Sequence, residues 1–386
     1  MRIPMKTRIT ELLKIKYPIV LSGMSWISTP ELVAAVSNAG GIGILATGIL
    51  SPEETVRSVT RVRELTKRPF AANVTLYFPG SEKNAEVLID LKVPVINYSL
   101  GKGGWIADAV HAYGGKVIAT VTTLKHALAA QKEGADALIV TGHEAAAHGG
   151  AVTSLVLIPT IADAVDIPLI AAGGFADGRG LAAALALGAD AVAMGTRLMN
   201  TVESPVHELQ KKMSVDKGAF DTVYTDRVDG MNARMMDSPG LRRLMKKRFN
   251  PFVAAYRARS ITKEIGLSMS SIIGGMISPV PKKKTAAAYP SQDKKQASPA
   301  GRNKKKAGSF EAARKMFRTM KQMSRMAVGF GAFKTGTMDG DNEKGVLALG
   351  QITGIIHDTP TVRQVIERTV RDAAKAHAEL GRNLRN

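Results

Sequence analysis

From Tyr17 onward, short apolar runs alternate with amphipathic stretches at a spacing of about 25 residues. This alternation constrains the fold more than any other feature. Strands are predicted near 19–22, 42–46, 71–75, 95–98, 116–120, 137–141, 168–172 and 191–195. Helices are predicted between them, among them 30–38, 52–65, 124–132, 155–164 and 180–187. Strands that alternate with helices of roughly 10–15 residues build parallel βαβ units. Eight units in about 180 residues fit a closed (β/α)8 TIM barrel better than a doubly wound open sheet.

In such a barrel, ligand groups gather at the C-terminal ends of the strands. Those ends carry Gly23-Met24, Asn73, Thr120, Gly142-His143 through His148-Gly149-Gly150, Gly173-Gly174 and Gly195-Thr196. The rim is thus glycines, hydroxyls, an amide and two histidines, with little permanent negative charge. Glycines at the seventh and eighth strand ends let an anion approach bare N–H groups, and a following helix start adds its positive dipole end. A phosphorylated ligand is expected there.

Composition removes several chemistries. The chain has no cysteine, so disulfides, Cys-ligated iron–sulfur clusters and thiolate nucleophiles are excluded. Its histidines show no metal-binding spacing, and no metal site is predicted. No run of about 18 apolar residues occurs and the first residues lack a signal-like apolar core, so a cytoplasmic protein is expected.

The net charge of +20 is concentrated rather than spread. Residues 241–330 hold 22 of the 53 Lys/Arg but only three of the 33 Asp/Glu. Within them, 279–308 is rich in Lys, Ala, Ser and Pro and is expected to be a flexible basic insert. Such a segment suits an anionic surface; few aromatics interleave with the lysines, so specific nucleic-acid recognition is not expected. The expected division is a barrel domain over 1–205 and a mainly helical region over 206–386.

Four stretches resemble the nitronate monooxygenase family of FMN-dependent TIM barrels. They are Tyr17-Pro18-Ile19 through Gly43, Pro69-Phe70-Ala71-Ala72-Asn73-Val74-Thr75, Gly142-x-Glu144-x-x-x-His148-x-Gly150, and Ala171-Ala172-Gly173-Gly174 through Gly195-Thr196-Arg197. FMN-containing quinone reductases and enoyl-acyl-carrier-protein reductases share parts of this pattern. The resemblance implies oxidation of alkyl nitronates with dioxygen, with NAD(P)H-dependent reduction of a quinone or enoyl thioester as the alternative. No Gly-x-Gly-x-x-Gly follows a strand, so NAD(P)H would have to bind over the flavin face.

The same resemblance implies roles for single residues. His148 would take the substrate's α-proton or hold a nitronate's charge. Gly173, Gly174, Gly195 and Thr196 would cradle the FMN phosphate, with Gly142 on the same rim. Gly23 and Met24 would pack against the isoalloxazine, Asn73 would bond its polar edge, and Thr120 stands where quinone reductases carry a lysine. Glu144 is expected to tie its loop through backbone hydrogen bonds. Ala146 and Ala147 occupy positions where many relatives have glycine. A left-handed backbone at either would therefore be strained.

Overall fold

Each apolar run becomes a strand, and each amphipathic run becomes the helix that carries the chain back to the next one. The computed structural model describes residues 5–77, 81–246, 325–326 and 328–384. Its strands β1 (Ile19–Leu21), β2 (Ile42–Ala46), β3 (Ala71–Thr75), β4 (Val95–Ser99), β5 (Lys116–Val121), β6 (Ala137–Thr141), β7 (Leu169–Ala172) and β8 (Ala191–Met194) form a closed barrel in sequence order. Closure is parallel, with Ile19 opposite Val192, Val20 opposite Ala193 and Leu21 opposite Met194. The expected TIM barrel is the fold.

Helix starts follow local chemistry. Helix α3 (Pro52–Leu65) opens with proline at its first turn and a capping box between Ser51 and Glu54. Helix α6 (Leu124–Lys132) is capped by the Thr123 hydroxyl, and α8 (Gly178–Ala186) by the Asp177 carboxylate. Helices α2 (Pro30–Asn38), α4 (Ser81–Asp90), α5 (Gly104–His111) and α7 (Ser154–Ala162) complete the ring.

Strand periodicity sorts the side chains. Val20, Ile42, Ile44, Ala71, Val95 and Ile118 fill the barrel interior, while Ile19, Leu21, Leu45, Ala72 and Ile96 pack beneath the helices. The same period of two carries Asn73, Asn97 and Thr120 onto the interior face, nearer the C-terminal rim. An unforeseen helix, α1 (Arg8–Leu13), adds Ile9 and Leu13 to the interior cluster. Its Arg8 grips Asp190, just before β8, through Nε at 2.9 Å and Nη2 at 2.8 Å.

After β8 come α9 (Thr196–Met199) and α10 (Glu208–Val215), followed by an antiparallel hairpin of β9 (Thr222–Thr225) and β10 (Ala233–Met236). Helix α11 (Pro239–Lys246) follows. Residues 329–339 are helical, Gln351–Ile355 form a 3₁₀ turn, and a long helix spans Val362–Asn383. This last helix presses on α8 so closely that a Cβ on Gly178 would collide with the Ala373 backbone nitrogen. By contacts, Met1–Arg248 and Gly329–Asn386 form one unit, and Phe249–Val328 a second. The expected basic insert, 279–308, lies outside the described residues. No helix among the described residues is long and apolar enough to cross a membrane.

Candidate active site

The interior polar residues near the rim form one ladder. Asn73 Nδ2 donates to Asn97 Oδ1 at 2.7 Å, and Asn97 Nδ2 donates to Thr120 Oγ1 and to the Ile118 carbonyl, each at 3.0 Å. Gly23 passes directly over this ladder, because a Cβ there would meet Asn73 Cβ at 2.9 Å. The Met24 amide donates to Ser28 Oγ at 3.1 Å, and Met24 Sδ stands 3.4 Å from the position a Gly195 Cβ would occupy. Gly23, Met24 and Gly195 are thus neighbours at the barrel mouth, and Gly23 meets the near end of a ladder that runs through Asn73 and Asn97 to Thr120. Trp26, on the same loop, has φ 63° and meets Phe330 edge-on at 5.9 Å.

The glycines after β7 and β8 are left bare for two different reasons. Gly173 (φ 94°) is packed by protein, since an added Cβ would lie 3.1 Å from the Gly142 carbonyl oxygen and 3.2 Å from the Gly142 and Ala145 nitrogens. Gly174 (φ 84°) and Gly195 have room, their added Cβ atoms finding nothing closer than Glu144 Cβ at 3.6 Å and Met24 Sδ at 3.4 Å. Buried Thr196 accepts the Gly350 N–H on Oγ1 at 3.1 Å, which leaves its own hydroxyl proton to donate. A cleft of about 350 Å³ opens beside Gly173 and Gly174, bordered by Glu144, Ser154, Phe175 and Gln351. Open backbone at two strand ends and a hydroxyl proton left to donate fit a phosphate group, and the amide ladder fits a polar ring edge.

The loop from Gly142 to Gly150 is held from both sides. On the barrel side, the Glu144 carboxylate accepts the Ser154 N–H and hydroxyl, each at 2.9 Å, as its expected structural role requires. On the other side the β9–β10 hairpin clasps it. Ala147 and Arg234 form an isolated antiparallel bridge, Tyr224 Oη donates to the Gly149 carbonyl at 2.9 Å, and Arg234 Nε donates to the His143 carbonyl at 3.2 Å. Burial pushes the Arg234 guanidinium below its usual pKa, while the charges of Glu144 and Tyr224 oppose that shift. His143 Nδ1 bonds the Gly150 carbonyl at 2.9 Å and its ring meets Tyr224 edge-on, so this histidine is built into the loop.

His148 differs. Its Nε2 lies 2.7 Å from Oδ2 of Asp229, whose side chain is 7% exposed against 30% for the imidazole. Asp229 sits in the connection between β9 and β10, 81 positions away in sequence. Ala147, immediately before His148, has φ 54°, so the left-handed conformation expected to strain an alanine is present.

Sequence reading missed Asn97, Tyr224, Asp229 and Arg234. Asn97 had a signal: it interrupts an apolar strand at the register of Asn73 on the neighbouring strand. Asp229 precedes Gly230, a pair that reads as a simple turn.

A family model described as nitronate monooxygenase matches residues 6–88 and 78–372. The chain belongs to the nitronate monooxygenase family. Within this family fall relatives of different named activity, and the protein is an oxidoreductase of the flavin-dependent type. It is 35% identical over 379 residues to the (3aS,4S,5R,7aS)-5-hydroxy-7a-methyl-1-oxo-octahydro-1H-indene-4-carboxyl-CoA dehydrogenase of Rhodococcus jostii, covering 98% of each chain. It is 32% identical over 281 residues to a probable nitronate monooxygenase of Staphylococcus saprophyticus, covering 61% of this chain and 79% of that one. The structure of FabK from Thermotoga maritima superposes with a TM-score of 0.72 at 31% identity, over 97% of this chain and 98% of that one.

Proposed function

We propose that this protein is an FMN-dependent dehydrogenase of a hydroxylated acyl thioester, with His148 as the base. One observation carries the substrate class. Likeness to the hydroxylated carboxyl-CoA dehydrogenase of R. jostii runs through 98% of both chains, so it takes in the hairpin region that clasps the His148 loop. FMN would be held by Gly174, Gly195 and Thr196 at its phosphate, with Gly142 and Gly173 shaping the turn beneath. Gly23 and Met24 would lie against its ring, and Asn73 and Thr120 would serve the polar edge. When bound, FMN would supply a two-electron acceptor, and His148 would take the proton that the substrate loses as it is dehydrogenated.

The family description favours a second reading, oxidation of an alkyl nitronate with dioxygen. There His148 would remove the α-proton of a nitroalkane, or hold the charge of a nitronate already formed. The dehydrogenase reading stands first because the likeness to the R. jostii enzyme covers 98% of this chain, against 61% for the probable nitronate monooxygenase of S. saprophyticus.

Anaerobic stopped-flow of the yellow protein separates the readings. Flavin absorbance is followed after mixing with a 3-hydroxyacyl-CoA, with propionate 3-nitronate, and with NADH or NADPH. Bleaching by the thioester supports the first reading. Bleaching by nitronate alone moves the assignment to the monooxygenase. Bleaching by a pyridine nucleotide alone overturns both in favour of a reductase acting on quinones or enoyl thioesters.

A further inference from the structure

We propose that Asp229 is the positioning residue of His148, fixing both its tautomer and its orientation. The proposal deepens the base role given to His148 and rests on it, but its first test does not. A carboxylate oxygen offers no proton, so the 2.7 Å contact places a hydrogen on Nε2, and in the neutral imidazole the lone pair is then on Nδ1. Nδ1 has no hydrogen-bond partner among the described residues, which leaves it available to a substrate. When Nδ1 takes a proton, the imidazolium formed lies against a carboxylate that stabilises it.

The carboxylate is itself fixed. Its other oxygen, Oδ1, accepts the Met231 N–H at 3.0 Å. The backbone at Gly329 comes so close to this residue that a Cβ there would stand 2.8 Å from Asp229 Cβ. The turn continues through Gly230 at φ 86°, a conformation glycine adopts without strain. Asp229 thus has one place to stand, and the imidazole is oriented by a nearly buried group rather than by solvent.

Imidazole ¹⁵N NMR tests this without substrate. In protein labelled at histidine, with His148 assigned by its loss in His148→Gln, the wild type should carry its neutral-form proton on Nε2. Asp229→Ala should give a mixture of tautomers; an unchanged single tautomer overturns the proposal. Rates provide the second arm. Asp229→Asn and Asp229→Ala should slow flavin reduction by roughly 10²-fold while substrate KM stays within about twofold. In a His148→Ala background, Asp229→Ala should slow it no further. An equal loss in both backgrounds would mean that Asp229 only supports the fold. If no donor reduces the flavin, the proposed reaction fails while the NMR arm still decides the role of Asp229.

Discussion

Ala147 and Arg234 exchange backbone hydrogen bonds in both directions, Ala147 N–H to the Arg234 carbonyl at 3.0 Å and Arg234 N–H to the Ala147 carbonyl at 2.9 Å. The bridge holds an alanine at φ 54°, one residue before His148. A left-handed alanine costs on the order of 1 kcal/mol, and glycine removes that strain while adding a similar unfolded-state entropy. Ala147→Gly should therefore melt within a few degrees of wild type. Ala147→Val crowds Cβ further and should lower stability by roughly 2 kcal/mol. Thermal unfolding of both variants is the check, and a harmless valine would show that the backbone at 147 is not left-handed.

Gly173 and Gly195 make a contrasting pair. An added methyl at Gly173 meets the Gly142 and Ala145 backbone, where nothing flexible can yield, and φ 94° is unfavourable besides. At Gly195 the same methyl meets only the end of Met24 at 3.4 Å. Gly173→Ala should lower thermal stability as well as the flavin-to-protein absorbance ratio of the purified protein. Gly195→Ala should lower the flavin ratio while leaving the melting temperature of flavin-free protein unchanged. Full flavin retention in Gly195→Ala would remove this glycine from the cradle.

Asn97 lies between Asn73 and Thr120 and is 2% exposed. Asn97→Ala leaves the Asn73 amide without its acceptor in a nearly dry interior, at a cost of roughly 2 kcal/mol. Urea unfolding should show the loss. A neutral result would mean that water takes over the vacated partner.

The barrel was legible because each strand sees its surroundings through a pattern of its own residues. Predicted 42–46, 71–75 and 137–141 coincide with β2, β3 and β6, and prolines at 30 and 52 mark the helix starts they occupy. The glycine-rich ends of β7 and β8 were legible for the same local reason. The partner of His148 was not, because Asp229 reaches it through tertiary structure alone. Strands β9 and β10, Thr222-Val223-Tyr224-Thr225 and Ala233-Arg234-Met235-Met236, are not apolar runs set between amphipathic helices, so the alternation that marks the barrel strands does not mark them. The strain at Ala147 was foreseeable as a condition, while its bridge to Arg234 depends on the same hairpin.

Asp358 joins the C-terminal segment to the residue after Thr196. Its Oδ1 accepts Arg197 Nη1 at 2.7 Å, and its Oδ2 accepts Arg368 Nη1 at 2.6 Å. Burial pushes the Asp358 carboxyl upward, but the bonds and charges of Arg197 and Arg368 outweigh it and hold the group below its usual value. A carboxyl depressed in the folded state adds stability that is complete above its unfolded value, about 4, and disappears as pH falls through the folded value. The side chain of Asp358 is 46% exposed, so screening reduces its worth, whereas that of Arg197 is only 8% exposed and has much to lose. Asp358→Asn should therefore be less stable than wild type by about 1–2 kcal/mol at pH 7. The difference should narrow once pH drops below about 4, as the wild-type carboxyl takes up its proton. Urea unfolding across that range measures it, and a gap independent of pH would assign the contribution to packing rather than charge.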